Sequence, residues 1–352
     1  MTYEARMAEK AELLKKQDRV RILSLETSCD ETAAAIIENG RRILSNVVFS
    51  QIDLHALYGG VVPEIASRAH VEACDRVIDQ ALKEAGLTFD DIDACAVTYG
   101  PGLVGALLTG VSCMKGLSYA LNKPLIAVNH IEGHVSANYL THPDLEPPFL
   151  CLVVSGGHSH LVMVEGFGRY RCIGQTMDDA AGEAFDKAAR VLSLPYPGGP
   201  RIDRLAEEGD PHFLKLPTSH VPGRYDYSFS GLKTAFLNAV HGMEQRGEEL
   251  PRADLAASFR YAVVSSLVEK AILAAREVHA PALAMAGGVS ANSLLRRMMT
   301  EAAEKEGIPL YMPRIDLCTD NGAMIGSAAY WRLLSDGPAP LTLNAVPALR
   351  FV

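Results

Sequence analysis

The chain shows the same pattern twice: an apolar strand, a short loop of small polar residues and a second apolar strand. In the first copy, the strand 20–26 and the loop 27–30 precede the apolar run 33–37. In the second copy, the apolar runs 149–154 and 160–165 flank another loop of small residues. This repeat predicts a duplicated α/β domain, each half of which begins with a β-hairpin. Coincidence is the alternative, because strand–turn–strand sequences are common.

The rest of the chain alternates helical patterns with short apolar runs, which is typical of an α/β protein. The spacing predicts helices at 66–85, 105–121, 130–140, 253–279, 292–307 and 321–334, and strands at 94–98, 125–128 and 282–286. Asn39-Gly40 predicts a hairpin turn, and the proline- and glycine-rich segment 195–226 predicts irregular structure.

A domain boundary is predicted at the prolines and acidic residues of 141–148. It divides the chain into an N-terminal extension (1–20), a first lobe (21–145) and a second lobe (146–352). The last predicted helix is also compatible with packing back onto the first lobe.

Charge and cysteine content limit the classes of function. The formal net charge is −9, which argues against a chain that holds nucleic acid by itself, although partner subunits could deliver such a substrate. The seven cysteines are scattered without a CxxC motif, as expected in a reducing compartment. Residues 1–20 lack an apolar signal core, and no apolar run approaches the ~18 residues of a membrane span. We therefore expect a cytoplasmic protein that does not enter a membrane.

Two histidines in Asn129-His-Ile-Glu-Gly-His134 have metal-ligand spacing. His130 and His134 stand four residues apart and share one face of a predicted helix, where they could bind one ion. Glu132 does not follow the first histidine directly, so the H-E-x-x-H motif of metalloproteases is absent. Such a pair alone is more often structural. Asp320 is the best candidate for a third ligand, and its alternative or additional role is to cap the last predicted helix.

Three glycine-rich segments could bind an anion through backbone N–H groups. They are Val153–Gly157, Pro197–Pro200 and Ala286–Asn292, and two of them directly follow predicted buried strands. No P-loop and no properly placed GxGxxG occurs. A single segment of this kind is most often a tight turn, whereas three favour a nucleotide site in a cleft between two lobes.

Carboxylates cluster in two places. Glu26, Asp30 and Glu31 flank the first hairpin, and Asp179, Glu183 and Asp186 are spaced for one helical face. A solvated acidic face is the usual interpretation of the second cluster. The alternative is that Asp186 or Glu183 binds hydroxyl groups of a polar substrate.

In this order, eight motifs resemble the universal family of tRNA N6-adenosine threonylcarbamoyltransferases, called TsaD in bacteria and formerly described as O-sialoglycoprotein endopeptidases. The motifs are LETSCDET (25–32), GPGLVGAL (100–107), NHIEGH (129–134), LVVSGGHS (152–159), DDAAGEAFDK (178–187), YPGGP (196–200), AGGVSAN (286–292) and TDNGAM (319–324). The resemblance extends from residue 21 to about residue 334, and the SGGH form is similar to the bacterial branch.

The resemblance implies an actin/Hsp70/sugar-kinase (ASKHA, ribonuclease H-like) fold with two related α/β lobes facing a nucleotide cleft. It implies an acyltransferase that moves a threonylcarbamoyl group from threonylcarbamoyl-adenylate to N6 of the adenosine 3′ of the anticodon in tRNAs reading ANN codons, and releases AMP. The alternatives are a metallopeptidase and an ATP-binding, sugar-kinase-like module.

Site residues carry over by motif position. His130, His134 and Asp320 are implied as metal ligands, and archaeal relatives have a tyrosine ligand where this chain has Val153. Three protein ligands with open positions suit Fe²⁺, with Zn²⁺ as the alternative. The residues implied in adenylate binding are Val153, Val154, Ser155, Gly156, Gly157, Asp186, Gly199 and Asn292, with Asp203 as a further candidate.

Glu26 is our candidate for the base that removes a proton from the attacking amine, because it ends the first strand. The alternative is a carboxylate that only caps the hairpin. The resemblance also implies a TsaB-like inactive paralogue and a TsaE-like P-loop ATPase as partners, which would supply the basic surface for tRNA. A homodimer is the expected alternative when these partners are absent.

Overall fold

The computed structural model describes residues 2–217 and 221–351. They form two compact units, each of which is described by itself. The first unit contains 1–146, 166–169 and 313–352, and the second contains 147–165 and 170–312. Residues 1, 218–220 and 352, which the sequence analysis assigned to the extension, the irregular segment and the second lobe, lie outside the described part.

The chain alternates strands and helices. The strands are β1 (Arg21–Glu26), β2 (Glu31–Glu38), β3 (Arg42–Ser50), β4 (Ala94–Gly100), β5 (Leu125–Asn129), β6 (Phe149–Val154), β7 (Ser159–Gly166), β8 (Arg169–Gln175), β9 (Leu283–Ala286) and β10 (Leu310–Tyr311). The helices are α1 (Tyr3–Leu14), α2 (Ile52–Ala56), α3 (Pro63–Ala85), α4 (Val104–Leu121), α5 (His130–Thr141), α6 (Ala181–Val191), α7 (Gly198–Leu205), α8 (Ser230–Gln245), α9 (Arg252–Glu277), α10 (Ser293–Glu306) and α11 (Gly322–Ser335).

The first unit is built on a mixed sheet with the strand order β3-β2-β1-β4-β5. β1 pairs antiparallel with β2 and parallel with β4. Because side chains alternate across a strand, β1 contributes residues to two hydrophobic cores, one on each face of the sheet. Leu23 and Leu25 join the core that contains residues of α3 and α4, and Ile22 joins the core that contains residues of α5 and α11. The sheet is therefore covered by helices on both faces.

The second unit repeats this topology with the strand order β10-β9-β6-β7-β8. Its first strand, β6, pairs antiparallel with β7 and parallel with β9, as β1 does with β2 and β4. Phe185, Phe236 and Phe259 from three helices meet in its core, with ring centroids 4.9 to 5.8 Å apart. Two sheets with the same internal order support the predicted duplication and disfavour coincidence.

The predicted strands and helices are found within a few residues of their expected bounds, but the structure also contains elements that were not predicted, among them the short α2 and β10. Segment 195–226 was expected to be irregular, but it contains α7, a short helix that buries little more than Gly198 and Ile202. We did not predict β8, because this strand at the end of the sheet reads Arg-Tyr-Arg-Cys rather than as an apolar run. α8 was also missed.

α4 is long and apolar enough, by length and composition, to cross a membrane. A core helix passes the same test, and a third of α4 is buried inside the protein. Its inward residues, which include Leu107, Val111 and Met114, have no more than 2% of their surface exposed. The packing of α4 is that of a helix laid on a sheet.

Candidate metal centre and glycine loops

The two histidines lie at the start of α5, which is buried along almost its whole length. Asn129 caps this helix, and its side chain accepts a hydrogen bond from the backbone N–H of Ile131 at 2.8 Å. His130 is 6% exposed and His134 is fully buried, with ring centroids 4.7 Å apart. The four-residue spacing thus places both rings at one point, as predicted.

Asp320 completes this cluster from just before α11. Its Oδ1 lies 3.4 Å from Nε2 of His130 and 3.2 Å from Nε2 of His134. The suggestion that Asp320 caps the helix is wrong, because Asn321 is the capping residue and accepts from the N–H of Met324 at 2.9 Å. Capping by the next residue leaves the Asp320 carboxylate directed at the histidines.

Close packing brings α11 to this position. The N–H of Ala323 donates to Asn46 Oδ1 at 3.0 Å, and Ser24 Oγ donates to the carbonyl of Gly322 at 2.7 Å. A Cβ at Gly322 would lie 2.7 Å from the backbone of β2, so a larger residue would push α11 off the sheet. Between the histidines, a Cβ at Gly133 would lie 2.7 Å from Ile325 Cδ1.

The cluster fits a divalent metal ion. One nitrogen from each histidine and one Asp320 oxygen all lie within 4.8 Å of one another. Both ring nitrogens of His134 are buried and make no hydrogen bond to any described residue. Because an unsatisfied buried polar atom is costly, a cation at Nε2 would relieve this penalty. Two imidazoles and a carboxylate suit Zn²⁺ or Fe²⁺.

Glu26 lies behind His130, at the end of β1, and is fully buried. Its Oε2 is 3.2 Å from His130 Nδ1. Burial raises the pKa of Glu26, but the charge and hydrogen bond of His130 outweigh it and hold that pKa below its ordinary value. Burial lowers the pKa of His130, but the carboxylates of Asp320 and Glu26 raise it to about 9. Without a cation the site thus favours a protonated His130, and a metal ion would displace that proton.

In the second unit, the first glycine loop follows β6. Val153 and Val154 are fully buried, so they can offer only backbone atoms to a ligand. The N–H of Ser155 donates to the carbonyl of His158 at 2.8 Å and closes the turn. Added Cβ atoms at Gly156 and Gly157 would meet no heavy atom of the described chain within 4 Å. This loop therefore presents open backbone.

The other two glycine loops adjoin the first. Gly287, at φ +87°, approaches β6 so closely that a Cβ there would lie 2.3 Å from the Val154 carbonyl oxygen. Gly198 begins α7 and donates its N–H to Asp186 Oδ1 of α6 at 2.8 Å. Gly199 and Gly288, the next residues along, face space that is empty of described atoms out to 4 Å. The first segment thus lies against the start of α6, the second against Asp186 in the same helix, and the third against the end of β6, and each offers backbone that a ligand could approach.

Asp203 and Asn292 belong to a hydrogen-bond network at the start of α10. Asp203 Oδ1 accepts from Arg260 at 2.9 Å, and its Oδ2 accepts from the Ser293 N–H at 3.0 Å. Asn292 caps α10 by accepting from the N–H of Leu295 at 3.0 Å. Both side chains therefore have structural partners.

The acidic cluster does not form one helical face, and only Glu183 fits the interpretation as a solvated carboxylate. Glu183 is about half exposed and pairs with Lys187 at 2.7 Å. Asp179 precedes α6 instead of lying on its face, and it pairs with Lys187 and Lys233. Asp186 differs, because it is the residue of this cluster that bonds to a glycine loop.

Comparisons with known proteins show the family of the chain. A family model described as TsaD, tRNA N6-adenosine threonylcarbamoyltransferase, matches residues 42–327. A relative of that name from Clostridium perfringens is 56% identical over 334 residues, which cover 95% of this chain and 98% of the relative.

Solved structures agree on the fold. T. kodakarensis HypF superposes with a TM-score of 0.61 at 14% identity, covering 90% of this chain and 48% of that one. The ROK hexokinase from Thermus thermophilus gives 0.51 at 17% identity, covering 89% and 97%. These similarities confirm the sugar-kinase type of α/β fold. With a family model across most of its length and a relative at more than half identity, the chain belongs to the TsaD family of tRNA N6-adenosine threonylcarbamoyltransferases.

Proposed function

We propose that this transferase modifies tRNA by moving a threonylcarbamoyl group from threonylcarbamoyl-adenylate to N6 of the adenosine 3′ of the anticodon in tRNAs reading ANN codons. The observation that carries the proposal is the cluster of His130, His134 and Asp320, within 4.8 Å, in a chain of this family. The new bond joins N6 to the carbamoyl carbon. The bond from that carbon to the phosphate oxygen breaks, AMP leaves with the electron pair, and N6 loses one proton.

We assign the binding of the adenylate to the glycine loops of the second unit. The open backbone at Gly156, Gly157, Gly199 and Gly288 supports this assignment, because N–H groups without a covering side chain can approach phosphate and ribose oxygens. Val153 and Val154 contribute backbone only, whereas Ser155 and Asp186 shape the loops. Asp203 and Asn292 hold the start of α10 beside the Gly288 segment.

His130, His134 and Asp320 would hold one divalent ion, with Fe²⁺ favoured and Zn²⁺ as the alternative. When bound, such an ion supplies Lewis-acid polarisation of an acyl or phosphoryl oxygen. The three side chains contribute binding and orientation, and the burial of the two histidines keeps most bulk water away from their ligand atoms.

We further propose that the two units are the two lobes of the sugar-kinase fold and that the protein acts in the cytoplasm with a TsaB-like paralogue and a TsaE-like ATPase. The net charge of −9 supports the need for partners, since tRNA phosphates require a basic surface. Without partners the chain would form a homodimer.

The test is mass spectrometry of nucleosides after the purified protein is incubated with threonylcarbamoyl-adenylate, unmodified tRNA and its partners. We expect threonylcarbamoyladenosine with the wild type and roughly a 100-fold or greater loss of rate with Asp320→Asn, because the proposed metal ion would lose its charged carboxylate ligand. Asp316→Asn is the matched control, because this nearby carboxylate is exposed and pairs with Arg314. An Asp320→Asn protein that modifies tRNA at the wild-type rate would contradict the proposal.

The peptidase alternative is disfavoured by Glu132. This residue would have to act as the base, yet its carboxylate accepts two hydrogen bonds from Arg332, at 2.6 and 2.8 Å. Incubation with a glycoprotein substrate should give no metal-dependent cleavage. The kinase-like alternative is tested by incubating the protein with ATP and sugars, and we expect no transfer of phosphate.

A further inference from the structure

The carboxylate of Glu26 lies next to His130, one of the two histidines proposed to bind the metal. Glu26 Oε2 lies 3.2 Å from His130 Nδ1, on the side of the ring away from Nε2, which faces Asp320 at 3.4 Å. An ionised carboxylate can only accept a hydrogen bond, so Nδ1 must carry the proton. Nδ1 keeps this proton when a metal ion displaces the proton of Nε2, so the Nε2 lone pair is the one that would bind the metal.

Glu26 is itself held rigidly. Its Oε1 accepts from the N–H of Ser28 at 2.5 Å, and its Oε2 accepts from Thr98 Oγ1 at 2.5 Å. Glu26 is also the last residue of β1, where it pairs with Ala33 of β2, and the preceding residue, Leu25, pairs with Val97 of β4. The Ser28 hydroxyl lies 3.1 Å from His130 Nδ1 and provides a second partner for the same nitrogen.

His134 provides a contrast within the same cluster. Its Nδ1 is buried and has no hydrogen-bond partner among the described residues. Apart from Asp320, whose Oδ1 lies 3.2 Å from Nε2, His134 is oriented by packing, whereas Nδ1 of His130 also faces an anchored carboxylate.

We propose that Glu26 is a positioning residue that fixes the tautomer and the ring orientation of His130 for metal binding. This inference rests on the metal centre of the proposed function, and it gives Glu26 a different role from that of the base. A base must reach the attacking amine, whereas Glu26 is fully buried and both of its oxygens already accept hydrogen bonds.

The test is a titration of the metal-free full-length protein with Co²⁺, followed by its visible absorption, and with Zn²⁺ against a competing chelator. Glu26→Gln keeps the shape but removes the charge, and Glu26→Leu removes the acceptor. Loss of a partner of this kind weakens metal affinity roughly 10- to 100-fold. We expect a loss in that range for Glu26→Gln, a larger one for Glu26→Leu, and a changed Co²⁺ spectrum in both.

Glu38→Gln is the matched control, because Glu38 also ends a strand of this sheet but pairs with Arg21 and Arg42. It should keep wild-type metal affinity within twofold. At saturating metal, transfer by Glu26→Gln should recover most of the wild-type rate, which loss of a base would not allow. Urea unfolding followed by Trp331 fluorescence shows that each variant is folded.

The outcomes separate this inference from the proposed function. If Glu26→Gln and Glu26→Leu both bind metal within threefold of the wild type, the positioning role is overturned while the metal centre stands. If the wild type binds neither Co²⁺ nor Zn²⁺, the metal centre fails and this inference fails with it. A folded Glu26→Gln protein with normal affinity and slow single-turnover transfer would favour the base.

Discussion

The ion pair between Glu132 and Arg332 joins the two helices that bring the three proposed metal ligands together. Glu132 lies in α5 between His130 and His134, and Arg332 lies in α11. The carboxylate is 2% exposed and accepts two hydrogen bonds from a guanidinium that is 29% exposed. Arg332→Ala would leave a buried carboxylate without its cation.

The size of the effect follows from this burial. Removing one partner of a buried pair costs about 3–5 kcal/mol. Because Arg332 is partly in contact with water, we expect about 2–4 kcal/mol for Arg332→Ala. Glu132→Gln should cost less, since Arg332 can still reach solvent and Asp336. We therefore expect Arg332→Ala to lower the free energy of unfolding more than Glu132→Gln does.

The chain contains one tryptophan, Trp331, which stacks on Phe167 with ring centroids 3.8 Å apart in the first unit. Its fluorescence during urea unfolding therefore reports on the unit that contains the mutation. Arg314→Ala is the control, because its pair with Asp316 is exposed on both sides and should contribute less than about 1 kcal/mol. An Arg332→Ala protein no less stable than Arg314→Ala would refute the reasoning.

Three further predictions concern backbone, pH and metal. Gly287→Ala should lower the free energy of unfolding, measured in urea, by about 2–4 kcal/mol. The positive φ of this residue is unfavourable for alanine, and the added Cβ would collide with the backbone of Val154. Gly337→Ala, at a similar φ with open space, should cost only about 1 kcal/mol, and equal losses would contradict this account. Burial raises the pKa of Asp179, but two lysines hold it below its ordinary value, so its stabilising effect should disappear as pH falls through that lowered value. Asp179→Asn should accordingly flatten the acid side of the stability profile. Zn²⁺ at 100 times its Kd should stabilise the first unit by about 2.7 kcal/mol, and His134→Ala should abolish most of that gain.

Much of the fold could be predicted because its signals are local. The turn at Asn39-Gly40 has φ values of 52° and 69°, a conformation that this dipeptide favours. Helix α10 begins after a capping Asn292 and ends at Gly307 in the left-handed conformation, as its sequence indicates. The two hairpins appear where apolar runs flank short loops. In each case the deciding interaction lies within a few residues along the chain.

The parts that could not be predicted depend on distant contacts. Glu132 and Arg332 are 200 residues apart, and neither position shows by itself that the other is its partner. Thr98 is an ordinary strand residue until the fold places its hydroxyl on Glu26. The sequence also left two interpretations of Asp320 open, because aspartate and asparagine both cap helices well. Only the structure shows that Asn321, and not Asp320, caps α11.

The TDNGAM motif illustrates how local residues achieve a long-range result. Asp320 faces the histidines, Asn321 caps α11, and Gly322 allows the helix to touch β2. Ala323 then donates its N–H to Asn46 of β3 and fixes the helix on the sheet. The sequence suggested Asp320 as a third ligand, but the roles of Gly322 and Ala323 depend on contacts with β2 and β3 that the motif alone does not reveal. The position of Asp320, the proposed third ligand, is therefore set by how α11 packs. If the cluster binds a metal ion as proposed, a change that lifts this helix off the sheet should weaken that binding even when His130, His134 and Asp320 all remain.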